Sequence, residues 1–230
     1  MAVRKRATKM TPAENTRFKD VITTLIGNGT YGQLVSHHAD MSHRMHSMGG
    51  MDPIGRQRFL PWHRVYLLKL EKAMQQIDAI CFIPYWDWTT QKKVPPWLAN
   101  FMPTVNVPGQ GVINVSRDIA VPPPLPTKSD IKSVMSETTY TDFTTQLEFA
   151  HNNVHGWVGK TMANIIVSPA DPLFWLHHAK IDRLWSTCQV KPANAGKIPS
   201  LTGNNRIMDP WTESEEDVRS IANLGYSYGP

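Results

Sequence analysis

A mainly helical fold with long irregular loops is predicted for this chain of 230 residues. Three observations predict it. Ser/Thr-Pro-x-acid strings mark helix starts, apolar residues recur at helical spacing in several segments, and proline-dense stretches interrupt that pattern. With 41% hydrophobic and 19% charged residues, the chain can bury a sizeable core in one domain. No run of about 18 uncharged apolar residues occurs, so a membrane span is not expected.

Thr11-Pro12-Ala13-Glu14 is a capping box with proline at the first helical position, and Phe18, Val21, Ile22, Leu25 and Ile26 follow at helical spacing. Gly27 and Gly29 end that helix. A second helix is predicted from about Tyr31 through the first histidines. Glycines and Pro53 make a loop of Met48 to Gly55. From Pro61 a strong helix runs to about Ile77, with Leu67, Leu70 and Met74 on one apolar stripe. Residues 92–127 hold eight prolines and few helical patterns, and read as a long loop on a single domain. A further helix carries Phe143 to Val158. Ser168-Pro169-Ala170-Asp171, again a capping box, starts another through Phe174, Leu176, Ile181, Leu184 and Trp185. From Lys191 onward the chain reads as irregular cover.

The net charge of +5 hints at a nucleic-acid partner, but Arg4, Lys5, Arg6 and Lys9 supply most of it, leaving 20 basic against 19 acidic residues. No basic face with interleaved aromatics is seen, so nucleic acid is not expected. The start lacks the apolar h-region of a secretory signal, which makes a cytoplasmic location the expectation. Cys81 and Cys188 cannot build a thiolate metal site, so any metal is held by nitrogen or oxygen.

All nine histidines lie in two windows, 37–63 and 151–178, and the 87 residues between hold none. Such segregation suits two metal-binding halves. His151 and His155, four apart on a predicted helix, project from one face and can bind one ion. A zinc protease would place glutamate directly after the first histidine; Asn152 stands there, so that chemistry lacks its base. Phe59 precedes His63, and Phe174 precedes His178, by one helical turn, where a ring packs beside the imidazole and keeps water off a metal. Alone, His63 or His178 reads as a buried core histidine; together with the pair on the helix, they read as ligands. One ion per window gives His151, His155 and His178 for one site, and His63 with two of His37, His38, His43 and His46 for the other. Six neutral imidazoles suit copper better than magnesium, calcium or iron–sulfur chemistry, and zinc fits by ligand type.

Four strings then carry a resemblance: Phe59-Leu60-Pro61-Trp62-His63-Arg64, Pro84-Tyr85-Trp86-Asp87-Trp88, His151-Asn152 with His155, and Ser168-Pro169 through Asp171, Phe174, His177 and His178 to Asp182. They resemble the tyrosinase family of type-3 copper proteins, over nearly the whole chain. The resemblance implies one copper-binding catalytic domain over 1–230 and a four-helix bundle holding two copper ions, three histidines each, that bind dioxygen. It also implies a small pairing of the terminal strands, because Val3-Arg4-Lys5 and Tyr226-Ser227-Tyr228 match the family's opening and closing segments. There Arg4 can stack on Tyr226 or Tyr228. By position, His38 is the first ligand of the first copper and His63 the third. The commoner pattern puts the second ligand eight or nine residues before His63, where this chain has Gly55 and Ile54; His46 is the choice, with His43 its rival. His178 rather than His177 completes the second site, leaving His177 beside the pocket. No thioether to a cysteine is expected.

The implied activity is oxidation of monophenols and o-diphenols to o-quinones, as in melanin formation, with phenols and dioxygen as partners. Catechol oxidase and a hemocyanin-like oxygen carrier are the alternatives, and a dizinc or metal-free binding protein a more distant one. Neither a copper chaperone nor a homodimer is specified by the residues. Ionising a phenol of pKa near 10 at neutral pH costs roughly 4 kcal/mol. In the family a water held by a glutamate and an asparagine accepts that proton, and Glu148 and Asn152 fit those roles. Gly156 is expected to leave the pocket mouth uncrowded. Asp182 is expected either to fix an imidazole tautomer or to pair with Arg183 or Lys180 on the helix surface.

Overall fold

The computed structural model describes residues 2–119 and 122–230. Strand β1 (Ala2–Arg4) leads to helices α1 (Pro12–Gly27), α2 (Thr30–Ala39) and the long α3 (Pro53–Ile77). A short α4 (Pro96–Ala99) and a hairpin of β2 (Thr104–Val107) and β3 (Gly111–Asn114) follow. Then come α5 (Lys128–Ser136), α6 (Tyr140–Val158), the short α7 (Lys160–Ala163), α8 (Pro172–Gln189) and β4 (Tyr226–Tyr228). Helices α2, α3, α6 and α8 pack as a four-helix bundle, which α1 and α5 cover from outside. Among the described residues no helix is long and apolar enough to cross a membrane.

The first helix forms as its sequence dictates. Thr11 and Glu14 exchange both bonds of the capping box, and Phe18, Val21, Ile22 and Leu25 are buried. Two other starts differ from expectation. Helix α3 begins at Pro53, not Pro61, because the Asp52 carboxylate accepts from the amides of Ile54 and Gly55, at 2.9 Å each. Pro61 therefore sits inside the helix, where it cannot bond the carbonyl of Gln57. The hydroxyl of Tyr140 on α6 donates to that carbonyl instead, at 3.1 Å, so the interruption becomes a link between helices. Helix α8 begins one turn later than expected: Ser168–Ala170 is a separate 3-10 turn, and Asp171 is the cap, accepting from Leu173. Helix α5 and the hairpin lie where only loop was expected, in and just after 92–127.

The string Pro84 to Trp88 is a bracket between the chain ends and α8. The backbone amide of Trp86 donates to Leu176, Tyr85 exchanges backbone bonds with the segment at Lys5 to Ala7, and Lys180 on α8 is buried against Asp87 at 2.7 Å. β1 and β4 run parallel, Ala2 opposite Tyr226 and Arg4 opposite Tyr228. The buried Arg4 guanidinium lies 3.8 Å from the centre of the Tyr226 ring and pairs with Glu71 on α3 at 2.9 Å.

Asp182 is corrected by this region. It touches no imidazole, and it does not pair with Lys180 or Arg183 on the surface. Buried on α8, it accepts from Arg64 at 2.5 Å, Arg4 at 3.3 Å, and the hydroxyls of Tyr226 and Tyr228 at 2.7 and 2.6 Å. Burial alone would raise its pKa, but Arg64 and Arg4 hold the carboxyl below its ordinary value. Three parts of the chain thus meet on one carboxylate: α3, α8 and the paired ends.

Candidate metal centre

Each bundle helix delivers histidines inward. Helix α2 carries His38, the loop after it His46, α3 His63, α6 His151 and His155, and α8 His177 and His178. All are buried except His155, which is partly open. Two groups result, His38 with His46 and His63, and His151 with His155, His177 and His178, each with donor atoms within 4.8 Å of one another. The groups face each other, and the rings of His63 and His178 stack at 4.4 Å.

The donor atoms converge. The Nε2 atoms of His155 and His151 lie 2.9 Å apart, those of His151 and His178 3.0 Å, and those of His46 and His38 3.2 Å. Their tautomers follow from the other ring nitrogens. His63 donates from Nδ1 to the carbonyl of Phe59 at 2.8 Å, His155 to that of Met162 at 2.6 Å, and His151 to Asn152 Oδ1 at 3.0 Å. The lone pairs of His151 and His155 therefore point at each other, an arrangement that needs a cation between them. A proton does not suit it. Burial, with neighbouring imidazoles adding to it, pushes His151 well below the ordinary histidine value, and burial lowers His155 to about 4. His38, His63 and His178 are pushed down by burial in the same way. Neutral nitrogen donors with no thiolate or carboxylate in either group fit a pair of copper ions.

His177 stands apart from its group. Trp88 donates its indole N–H to His177 Nδ1 at 3.1 Å, so in the neutral ring the proton is on Nε2 and no lone pair is left there for a metal. Its ring instead stacks on His151 at 4.9 Å. Among the remaining histidines, His43 pairs with Asp209 at 2.5 Å and His37 packs edge-on against Trp211, so neither joins the first group. The structure thus brings His46, not His43, to His38 and His63.

Both phenylalanines pack as their spacing predicts. Phe59 lies against His63 and His151, each at 5.0 Å between ring centres, and Phe174 stacks on His178 at 4.0 Å. A cavity of about 240 Å³ adjoins the donors and is lined by His38, His46, His151, Asn152, His155 and Gly156, together with Met162, Ala163, Ile165 and Ser168. The lining by Met162, Ala163 and Ile165 was not read from sequence. Its only signal is position, in the segment joining the two ligand-bearing helices α6 and α8.

Glu148 is buried one turn before His151, next to His46 and not among the residues lining the cavity. Its Oε1 accepts from the amide of Ser47 at 2.9 Å and lies 3.6 Å from His46 Nδ1, while Oε2 has no partner among the described residues. Gly156 needs a correction. It lines the cavity, but a side chain there would meet Pro123 at 3.0 Å, so the glycine admits the proline ring and does not leave the mouth open.

A family model for the common central domain of tyrosinase matches residues 28–120 and 110–191. The chain is 31% identical over 259 residues to a tyrosinase of Streptomyces glaucescens, and 33% identical over 261 residues to one of Streptomyces galbus. Each alignment spans 93% of this chain and 94% of the relative. In fold, the chain is similar along its whole length to a functional unit of octopus hemocyanin, with a TM-score of 0.78 at 22% identity over 68% of that chain. Relatives above 30% identity over nearly all of both sequences, together with a family model over well more than half, show that this chain belongs to the tyrosinase family.

Proposed function

We propose that this chain is a tyrosinase, a two-copper oxidase that hydroxylates monophenols and oxidises o-diphenols to o-quinones with dioxygen reduced to water. One observation carries the reading: donors from both histidine groups, His38 and His46 with His151 and His155, line a single cavity, so one small aromatic substrate meets both sites. His38, His46 and His63 hold one ion, and His151, His155 and His178 the other. When bound, the copper pair supplies dioxygen binding and two-electron oxidation.

The protein's own groups do the rest. The carbonyls of Phe59 and Met162 and the amide oxygen of Asn152 fix three imidazoles with Nε2 as donor. Phe59 and Phe174 keep water from the buried faces of the rings. Glu148 accepts the phenol proton through a water shared with Asn152, which offsets the roughly 4 kcal/mol cost of ionising a phenol at neutral pH. Its unpartnered Oε2 supports that role.

Calorimetric titration of the metal-free chain with Cu(II) should give two equivalents, and the loaded protein should turn over both tyrosine and catechol. Glu148→Gln should cut tyrosine hydroxylation about 100-fold while changing catechol oxidation only a few-fold. Equal loss of both refutes the proton-acceptor role. Catechol turnover without tyrosine turnover makes the chain a catechol oxidase, and reversible dioxygen binding without turnover makes it a carrier like hemocyanin.

A further inference from the structure

His46 reaches its group from a loop, not from a bundle helix, and the structure shows what makes that possible. In the first turn of α3, Gly55 lies so close under the loop that a Cβ there would stand 1.9 Å from the carbonyl oxygen of His46 and 2.8 Å from its carbonyl carbon. No side chain tolerates either distance. The loop backbone therefore occupies the space that any other residue at 55 would fill.

The loop is otherwise held in an unfavourable shape. Arg44 and Met48 both adopt left-handed backbone, at φ 49° and 50°, a conformation that persists only where surrounding contacts over-determine it. Those contacts are present. Arg44 grips Asp52 with two bonds of 2.9 and 2.6 Å, closing the loop at its ends. Inside it, the amides of Gly50 and Asp52 both donate to the carbonyl of Ser47, and Arg56 donates to that of Gly50 at 2.8 Å. Ser47, next to His46, is tied to Glu148 on α6.

We infer that Gly55 and the Arg44–Asp52 clasp are positioning elements for the first metal site: they let the loop lie flat on α3 and so bring His46 to His38 and His63. The inference rests on the two-metal reading above. An alanine at 55 moves the His46 carbonyl by about 1 Å or more, whereas a metal ligand tolerates only about 0.2 Å. The second group, built on α6 and α8, does not depend on the loop.

Titration of the metal-free chain with Cu(II), followed by calorimetry and by metal content after desalting, separates the possibilities. The unaltered chain should bind two equivalents; fewer than two overturns the two-metal reading itself. Gly55→Ala should bind one equivalent, as should His46→Ala, while Gly27→Ala, whose added methyl meets nothing within 4 Å, should still bind two. Arg44→Ala removes a half-exposed side chain, leaves the cap of α3 in place, and should weaken one of the two sites about tenfold. Two equivalents bound by Gly55→Ala with unchanged affinities overturn the positioning role. If Gly55→Ala does not fold, Arg44→Ala decides: two sites within twofold of the unaltered chain overturn it.

Discussion

Replacing Asp182 by asparagine keeps the shape of the side chain and removes one buried negative charge. In the intact protein that charge faces the guanidinium groups of Arg64 and Arg4 and takes the hydroxyl protons of Tyr226 and Tyr228. Arg4 keeps Glu71, but among the described residues Arg64 loses its only carboxylate and retains neutral acceptors, the carbonyls of Val218 and Arg219 and the Gln189 side chain. Removing one partner from a buried ion pair costs about 3–5 kcal/mol, because the remaining charge stays out of water. For a chain of this size that is a fall in Tm on the order of 10 °C. Thermal or guanidinium melts of the metal-free protein measure it, with Cu(II) stoichiometry at room temperature measured alongside. The stoichiometry should be unchanged, since Asp182 touches no imidazole. A loss below about 1 kcal/mol refutes the account of the buried network. So does a lost metal site at unchanged stability, which would return Asp182 to the role of imidazole partner.

Two other outcomes follow from the metal centre. Because burial lowers His155 to about 4 and pushes His38, His63, His151 and His178 down as well, the folded metal-free protein binds fewer protons than the unfolded chain below pH about 6.5. Its stability should be flat above that pH and fall as pH drops toward 4, with His155 contributing at most about 3 kcal/mol because its ring opens partly on the cavity. Equal urea midpoints at pH 7.5 and 4.5 refute this. His177→Phe should still bind two Cu(II) equivalents, although Trp88 loses its acceptor and stability drops by about 1–3 kcal/mol. His178→Ala should bind one, and the reverse pattern would exchange the roles of the two residues.

The sequence carried the helices where capping and periodicity agree, as at Thr11 to Glu14 with Phe18 and Val21. It misled where a local signal had a stronger competitor. Pro61 looks like a start because proline favours a first turn, yet Asp52-Pro53 offers a better cap eight residues earlier, and Tyr140 satisfies the carbonyl that the interior proline leaves free. Thr127 and Asp130 form a full capping box for α5, a signal that the surrounding prolines concealed. The convergence of His151 and His155 was legible because helical spacing puts them on one face of α6, and that of His63 and His178 because each follows a phenylalanine by one turn. The lining at Met162 was not, since Met162 contributes a backbone carbonyl to His155 and any residue would supply the same atom. The part played by Asp182 was illegible for a different reason. Its partners lie 44 to 178 residues away in sequence, and no local pattern encodes a meeting of that kind.

That same meeting bears on the order in which the molecule comes together. Helices α3 and α8 carry histidine-bearing faces, and behind them Arg64 joins Asp182 directly, while Glu71 is matched only when residues 2–4 lie beside 226–228 and bring Arg4 to it. Contacts that span nearly the whole chain close late, because the loop entropy of bringing them together must be met first. Before that pairing Glu71 lacks its arginine, and Asp182 lacks Arg4, Tyr226 and Tyr228, three of its four donors. Closure of the chain ends thus completes the charge pairing behind the histidine-bearing faces of α3 and α8.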